Sequence, residues 1–210
     1  MNQPGGKRPS VHGLSVRADV GNADGDVRLD DLARTARAGD DEAFERLVRA
    51  VYARIHRWAL VRIGDPDDAE DVTQAVLVRL HRSLGSWRET SRFTTWLYRV
   101  TANEASSWRR RVTRRARWIV RDPNALERGV DQLMGPSEEA DRTALVELVT
   151  AFFEELPPRQ REVCDLVDFQ GYEPAEVAEM LGVNPNTVRA NLFKARKMIR
   201  ERIEKRGETA

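Results

Sequence analysis

Residues 173–196 read EPAEVAEMLGVNPNTVRANLFKAR, two short helical patterns joined by a tight turn. Ala178 is small where two crossing helices approach, Gly182 can take the left-handed conformation in the turn, and Val188 can close the core from the second helix. Asn184-Pro185 supplies a side-chain cap followed by proline at the first helical position, which fixes where the second helix begins. The pattern is that of a helix-turn-helix. Val188, Leu192, Ala195 and Ile199 fall on one face at about 100° per residue and are expected inward. The opposite face carries Asn186, Arg189, Ala190, Phe193, Lys194 and Lys197, side chains able to meet base edges and phosphates in a major groove.

Working outward, Leu145, Leu148, Val149, Phe152 and Phe153 predict a helix that starts near Arg142 and breaks at Leu156-Pro157-Pro158. Further helices are predicted from Pro158 to Asp168, Pro174 to Leu181 and Pro185 to about Lys205. Before this block, 119–141 hold Asp, Pro, Gly and Ser with little periodicity and read as a flexible acidic linker. Upstream of it, Phe44, Leu47, Val48, Val51, Tyr52, Ile55, Trp58 and Ala59 recur every three or four residues, predicting a helix from Asp40 to about Gly64. A second begins at the cap Asp65-Pro66-Asp67-Asp68 and runs to about Gly85. A third, long helix carries Phe93, Trp96, Leu97 and Val100 on its buried side. Strand alternation and 20-to-50-residue repeats are absent from the sequence, so the fold class is all-α. The predicted organisation is a mobile arm at 1–27, a helical domain at 28–118, the linker at 119–141, a helix-turn-helix domain at 142–206 and a tail at 207–210.

The 210 residues carry a net charge of only +1, which conceals a polarity along the chain. Residues 28–121 hold 20 Lys+Arg against 13 Asp+Glu, 122–144 hold 2 against 6, and 185–206 hold 8 against 2. Two basic blocks around an acidic spacer suit two contacts with nucleic acid. In the first block, Asp67, Asp68, Glu70, Asp71 and Gln74 make an acidic surface at a helix start. Between Trp87 and Trp118, aromatics interleave with Arg88, Arg92, Arg99, Arg109, Arg110 and Arg111, the combination of stacking and charge that holds single strands. Phe93, Trp96 and Leu97 are expected in the core, leaving the loop and the arginines as contacts. One cysteine, Cys164, excludes an internal disulfide framework, and three scattered histidines offer no metal-ligand spacing. Cys164 reads as a small buried hydrophobe. No cofactor is expected. No apolar run reaches the roughly 20 residues of a membrane span, and no apolar stretch follows the amino terminus, so a cytoplasmic protein without membrane insertion is expected.

In this order the pieces resemble the extracytoplasmic-function sigma factors of bacterial RNA polymerase. The resemblance covers about Asp40 to Arg206 and rests on Phe44 to Leu47, DAEDVTQ at 68–74, FTTWLYRVTAN at 93–103 with its arginine run, LPPRQREV at 156–163 and GVNPNTVRANLFKAR at 182–196. It implies that Asp68, Glu70, Asp71 and Gln74 dock on the clamp helices of the polymerase largest subunit. It implies a pocket for a flipped base of the -10 element, built from the loop Ser86 to Arg92 and Asn103. Trp87, Arg88 and Arg92 come from that loop, and Arg109 and Arg110 follow the strand. Asn186, Arg189, Ala190, Phe193, Lys194 and Lys197 would read the -35 element, the second unit would rest on the flap of the second-largest subunit, and an anti-sigma factor is an implied partner. Ala75, where the family often has Glu, implies a weaker polymerase contact, and His81 stands where Trp is common; Asn186 and Ala190-Asn191 also depart from the family's usual residues, and from these a -35 sequence other than the common one is expected.

No nucleophile–base constellation, P-loop or glycine-rich dinucleotide loop is present in the sequence, and the reading is of a protein that is not an enzyme. The alternative is a free-standing helix-turn-helix regulator that binds duplex DNA without polymerase. Such a regulator has no need of an arginine- and aromatic-rich surface beside an acidic helix. A recombinase with a helix-turn-helix tail is a third reading; Tyr98, its candidate nucleophile, lies in a core-like pattern.

Overall fold

Helices form where the caps and apolar spacing direct them, and a computed structural model describes residues 23–119, 153 and 155–207. Among them α1 spans Ala23–Arg37, α2 Asp41–Ile63, α3 Pro66–Ser83 and α4 Phe93–Ile119. Of the predicted linker only Ile119 is described, as the end of α4, while 120–152, which hold the rest of the linker and most of the helix predicted from Arg142, lie outside the described residues; then come α5 (Pro158–Cys164), α6 (Pro174–Leu181) and α7 (Pro185–Gly207). The Asp40 side chain accepts from the Ala43 amide at 2.9 Å to start α2, and Asp65 accepts from Asp68 at 2.9 Å to start α3. Gly64 ends α2 at φ 88°, in the left-handed region, with its amide donating to the Leu60 carbonyl at 2.8 Å. Glu173 and Glu176 form a capping box at the start of α6.

Helices α1 to α4 pack around Leu47, Val51, Ile55, Trp58, Val72, Val76, Leu80, Phe93, Leu97 and Tyr98, all buried. Tyr98 meets Trp58 edge-on with ring centroids 5.1 Å apart. The first helical unit starts earlier than the sequence predicts. Helix α1 begins at Ala23, inside the stretch assigned to the arm, and Asp26 is 2% exposed. Its carboxylate accepts from Arg54 of α2 at 2.6 Å and from the Thr94 hydroxyl of α4 at 3.0 Å. The inward face of α1 also carries Leu29, Leu32, Ala33 and Ala36 at helical spacing, a signal for this helix that the sequence holds beside the buried carboxylate.

In the second unit, α5 gives way to a π-helical turn, Asp165–Phe169, in place of the predicted continuous helix to Asp168. Val188, Leu192 and Ala195 of α7 are buried and Ile199 is half-buried, as their spacing predicts. Cys164 is buried, its thiol pushed up by burial and by nearby Asp168. The two units share a seam. Trp58 Nε1 donates to Gln170 Oε1 at 3.0 Å, and Gln170 in turn donates to Asp165. Arg57 donates to Asp165 Oδ1 through Nε at 2.9 Å and Nη2 at 2.7 Å. Asp165 is 2% exposed, and burial raises its carboxyl above the usual range against the opposing pull of Arg57. Glu162 accepts from the Tyr98 hydroxyl, pairs with Arg62 and is met by Arg159 at 2.9 Å. Burial and the Glu162 charge drive the Tyr98 hydroxyl well above its ordinary value.

Candidate nucleic-acid interface

The predicted docking residues gather at the first turns of α3, where proline at N1 and early acids suit the positive end of the helix dipole. Asp71 and Gln74 are exposed; Asp68 and Glu70 are half-buried. Glu70 accepts from the Tyr52 hydroxyl at 2.6 Å and from Gln74 Nε2 at 3.2 Å, and these bonds hold its carboxyl below the usual range. Tyr52 is 39% exposed and stacks on His56, with centroids 6.5 Å apart and planes 10° from parallel. Sequence spacing assigns Tyr52 to the buried face of α2. It stands instead at that face's edge and completes the acidic surface from a second helix.

The loop between α3 and α4 is pinned to α1. The Arg37 guanidinium donates to the Trp87 carbonyl at 2.8 Å and to Glu89 at 2.6 Å, and Arg34 reaches Glu89 at 3.1 Å. Asp30 accepts from the Phe93 amide at 2.7 Å. Hydrogen bonding from Arg34 lowers the Glu89 carboxyl. Trp87 is not a free stacking surface: it is 2% exposed, its indole N–H donates to the Ser91 carbonyl at 3.1 Å, and its ring meets Phe93 edge-on at 5.5 Å. An aromatic ring in a loop reads alike whether it faces a base or a core, and α1 supplies the core here.

Of the remaining -10 candidates, Arg88, Asn103, Arg109 and Arg110 are exposed, and Arg92 is half-buried with Nη1 3.9 Å from Glu176 of α6. Asn103 lines a cleft of about 360 Å³ that it shares with Arg62, Arg99, Arg159 and Gly182. Beyond it, Arg109, Arg110, Arg111 and Arg114 project from the last turns of α4 whose side chains are described. Arg111 lies over the Trp108 ring at 5.4 Å and is tied to Glu104 at 3.2 Å.

On α7 all six predicted -35 residues are exposed, Phe193 at 70%. The Asn184 side chain accepts from the Asn186 amide at 2.8 Å, and Asn186 Oδ1 accepts from Arg189 at 3.0 Å, which aims that guanidinium along the outer face. A phenyl ring held in water beside Arg189 and Lys194 suits contact with a thymine methyl flanked by phosphates. Gly182 turns the chain into α7 at φ 64°. No group of three or more potential metal ligands occurs among the described residues, and no described helix is long and apolar enough to cross a membrane.

The sigma-70 region 2 family model matches residues 47–116, and the sigma-70 region 4 model matches 147–199. The chain is 32% identical to the ECF RNA polymerase sigma factor SigM of Mycobacterium tuberculosis over 199 residues, covering 93% of this chain and 91% of that protein. It is 28% identical to the ECF RNA polymerase sigma-E factor of Haemophilus influenzae, over 82% of this chain and 94% of the other. Among solved structures, CnrH in complex with the cytosolic domain of CnrY shares its fold at TM-score 0.60 and 22% identity, over 84% of this chain and 97% of that one. RpoE of Bartonella quintana, solved with the anti-sigma factor NepR, aligns at TM-score 0.60 and 20% identity, over 77% and 96%.

Proposed function

This chain belongs to the extracytoplasmic-function sigma factors of RNA polymerase, and from that premise we propose how its surfaces divide the work of promoter opening. Asp68, Glu70, Asp71 and Gln74, with Tyr52 behind them, dock on the clamp helices of the polymerase largest subunit. Arg88, Arg92 and Asn103 receive the -10 element as a single strand, and Arg109 and Arg110 follow its phosphates. The outer face of α7, from Asn186 to Lys197, reads the -35 duplex, while the rest of its unit rests on the polymerase flap. An anti-sigma factor is the natural antagonist; the solved RpoE of Bartonella quintana is in complex with the anti-sigma factor NepR.

The observation that supports this most is the pairing of two unlike basic surfaces in one chain. One is a recognition helix with an exposed ring and cations; the other is an arginine row on α4 beside an acidic helix start. A protein that binds the unpaired strand better than the duplex shifts the opening equilibrium by its differential affinity, with no bond made or broken. The test is run-off transcription from promoter fragments with core polymerase, with and without this protein. Specific initiation is expected, and changing Asp71 and Gln74 together to Ala is expected to lower it at least tenfold at limiting protein. Tight duplex binding without polymerase, and no initiation at any concentration, would replace this reading with that of a free-standing regulator.

A further inference from the structure

Glu104 is the single acidic residue of α4, a helix that carries seven arginines. A carboxylate there repels a phosphate backbone, so something other than net charge accounts for it. It follows Asn103 directly, is 9% exposed and meets guanidiniums from two helices. Arg79 of α3 donates through Nη1 to Glu104 Oε2 at 3.4 Å, and Arg111 of α4 donates through Nη2 to Oε1 at 3.2 Å. The two oxygens are thus divided between two cations. Both arginine side chains stay more than half exposed, and a guanidinium has five N–H donors, so each keeps donors for another acceptor. Arg111 is fixed a second time by Trp108, whose ring centroid lies 5.4 Å from its Cζ. The Trp108 indole N–H is buried with no hydrogen-bond partner among the described residues. Buried tryptophan usually finds one, so what this ring supplies is its face.

We infer that Arg79 and Arg111 form a second phosphate-binding site, that its ligand is a phosphodiester of the promoter strand, and that Glu104 is the positioning residue that builds it. This rests on the functional reading given above and extends it to the far end of α3, which that reading leaves unused. Residues seven apart on a helix lie within about 20° of each other, so Asn103 and Arg110 share one face of α4 while Glu104 and Arg111 share the next. The second face is turned to α3, from which Arg79 comes. A strand that meets both faces is gripped from two sides of the helix. Without the carboxylate, two like charges would spread into solvent with the rotamer freedom of long side chains. Glu104 removes that freedom before DNA arrives, so less is lost on binding. Charge alone gives the opposite sign: neutralising Glu104 takes a negative charge away from a phosphate-binding surface and would strengthen binding.

The experiment follows fluorescence anisotropy of a labelled single-stranded DNA of mixed sequence with the full chain, between about 50 and 200 mM salt, because log K falls with log salt by about 0.7 for each phosphate neutralised on a single strand. Arg79→Ala changes an exposed side chain and leaves Glu104 paired with Arg111. It is expected to weaken binding about fivefold and to flatten the slope by about 0.7. Glu104→Gln, close in shape to the native side chain, is expected to weaken binding about fivefold and flatten the slope, although it makes the chain more positive. In a chain that already carries Arg79→Ala and Arg111→Ala nothing is left to position, and there Glu104→Gln should tighten binding by up to about twofold. Loss of affinity on Glu104→Gln in both backgrounds would mean a structural role and overturn the positioning role. Tighter binding by Glu104→Gln in the otherwise unchanged chain would overturn it as well, and an unchanged slope in Arg79→Ala removes the site. Run-off transcription separates this inference from the reading on which it rests. Initiation by the unchanged chain together with unchanged slopes in the variants overturns the site alone, whereas flattened slopes without initiation leave the site standing and overturn the reading of promoter opening.

Discussion

Glu70 shows how a single hydrogen bond sets the character of a surface carboxylate. The Tyr52 hydroxyl, and after it the Gln74 amide, favour its charged form and lower its pKa. A carboxyl depressed in the folded state adds stability above its unfolded pKa, and that contribution is lost as pH falls through the folded value. In Tyr52→Phe the Glu70 midpoint is expected to move up toward the ordinary glutamate value, as followed by carbon-detected NMR titration of the side-chain carboxyl. A midpoint that stays put would mean that the hydroxyl is not bonded to Glu70 in solution. The acids of this surface are legible in the sequence because charge at a helix start is a local property. Tyr52 is not, because periodicity at 100° per residue locates a face and leaves its edge undecided. Trp87 escapes for a related reason: residue type does not distinguish a ring offered to a base from one capped by Arg37, whose guanidinium lies 5.6 Å from the indole centroid.

At the scale of elements, the turn between α6 and α7 depends on backbone freedom alone. A Cβ on Gly182 would meet nothing within 4 Å, so the penalty for a side chain there comes from φ +64° and not from crowding. Gly182→Ala is therefore expected to cost about 1 kcal/mol and Gly182→Asn less, since asparagine tolerates the left-handed region. Urea unfolding of both variants measures the difference, and equal losses would point to a steric cause instead. Helices α2, α3, α6 and α7 start where the sequence places them, because Asp40, Asp65, Pro174 and Pro185 are local start signals. The burial of Asp26 in α1 and the π-helical turn after α5 are not legible, since both answer to partners far along the chain, Asp26 to Arg54 and Thr94 and Asp165 to Arg57, whereas Leu29, Leu32, Ala33 and Ala36 mark the rest of α1 by their spacing.

For the molecule as a whole, the sequence conveys the all-helical class and the order of two unlike units, but not that they lie against each other. Arg57, Arg62, Asp165 and Glu162 read as solvated charge until a partner more than a hundred positions away, as for Arg57 and Asp165, or exactly one hundred away, as for Arg62 and Glu162, is brought close. The same blindness sets the edge of the first unit, since Asp26 falls within the stretch that reads as arm. Its burial has a practical meaning for how the chain is cut. Digestion with a nonspecific protease is expected to leave a resistant core whose first residue precedes Asp26, because a polypeptide shortened to begin at Arg28 takes a carboxylate from a 6%-exposed guanidinium. Removing one member of a buried ion pair costs about 3–5 kcal/mol, a large share of what holds a small domain together. A recombinant fragment trimmed at Arg28 should accordingly melt well below one trimmed before Ala23, and equal melting temperatures would show that the amino-terminal helix is dispensable baggage.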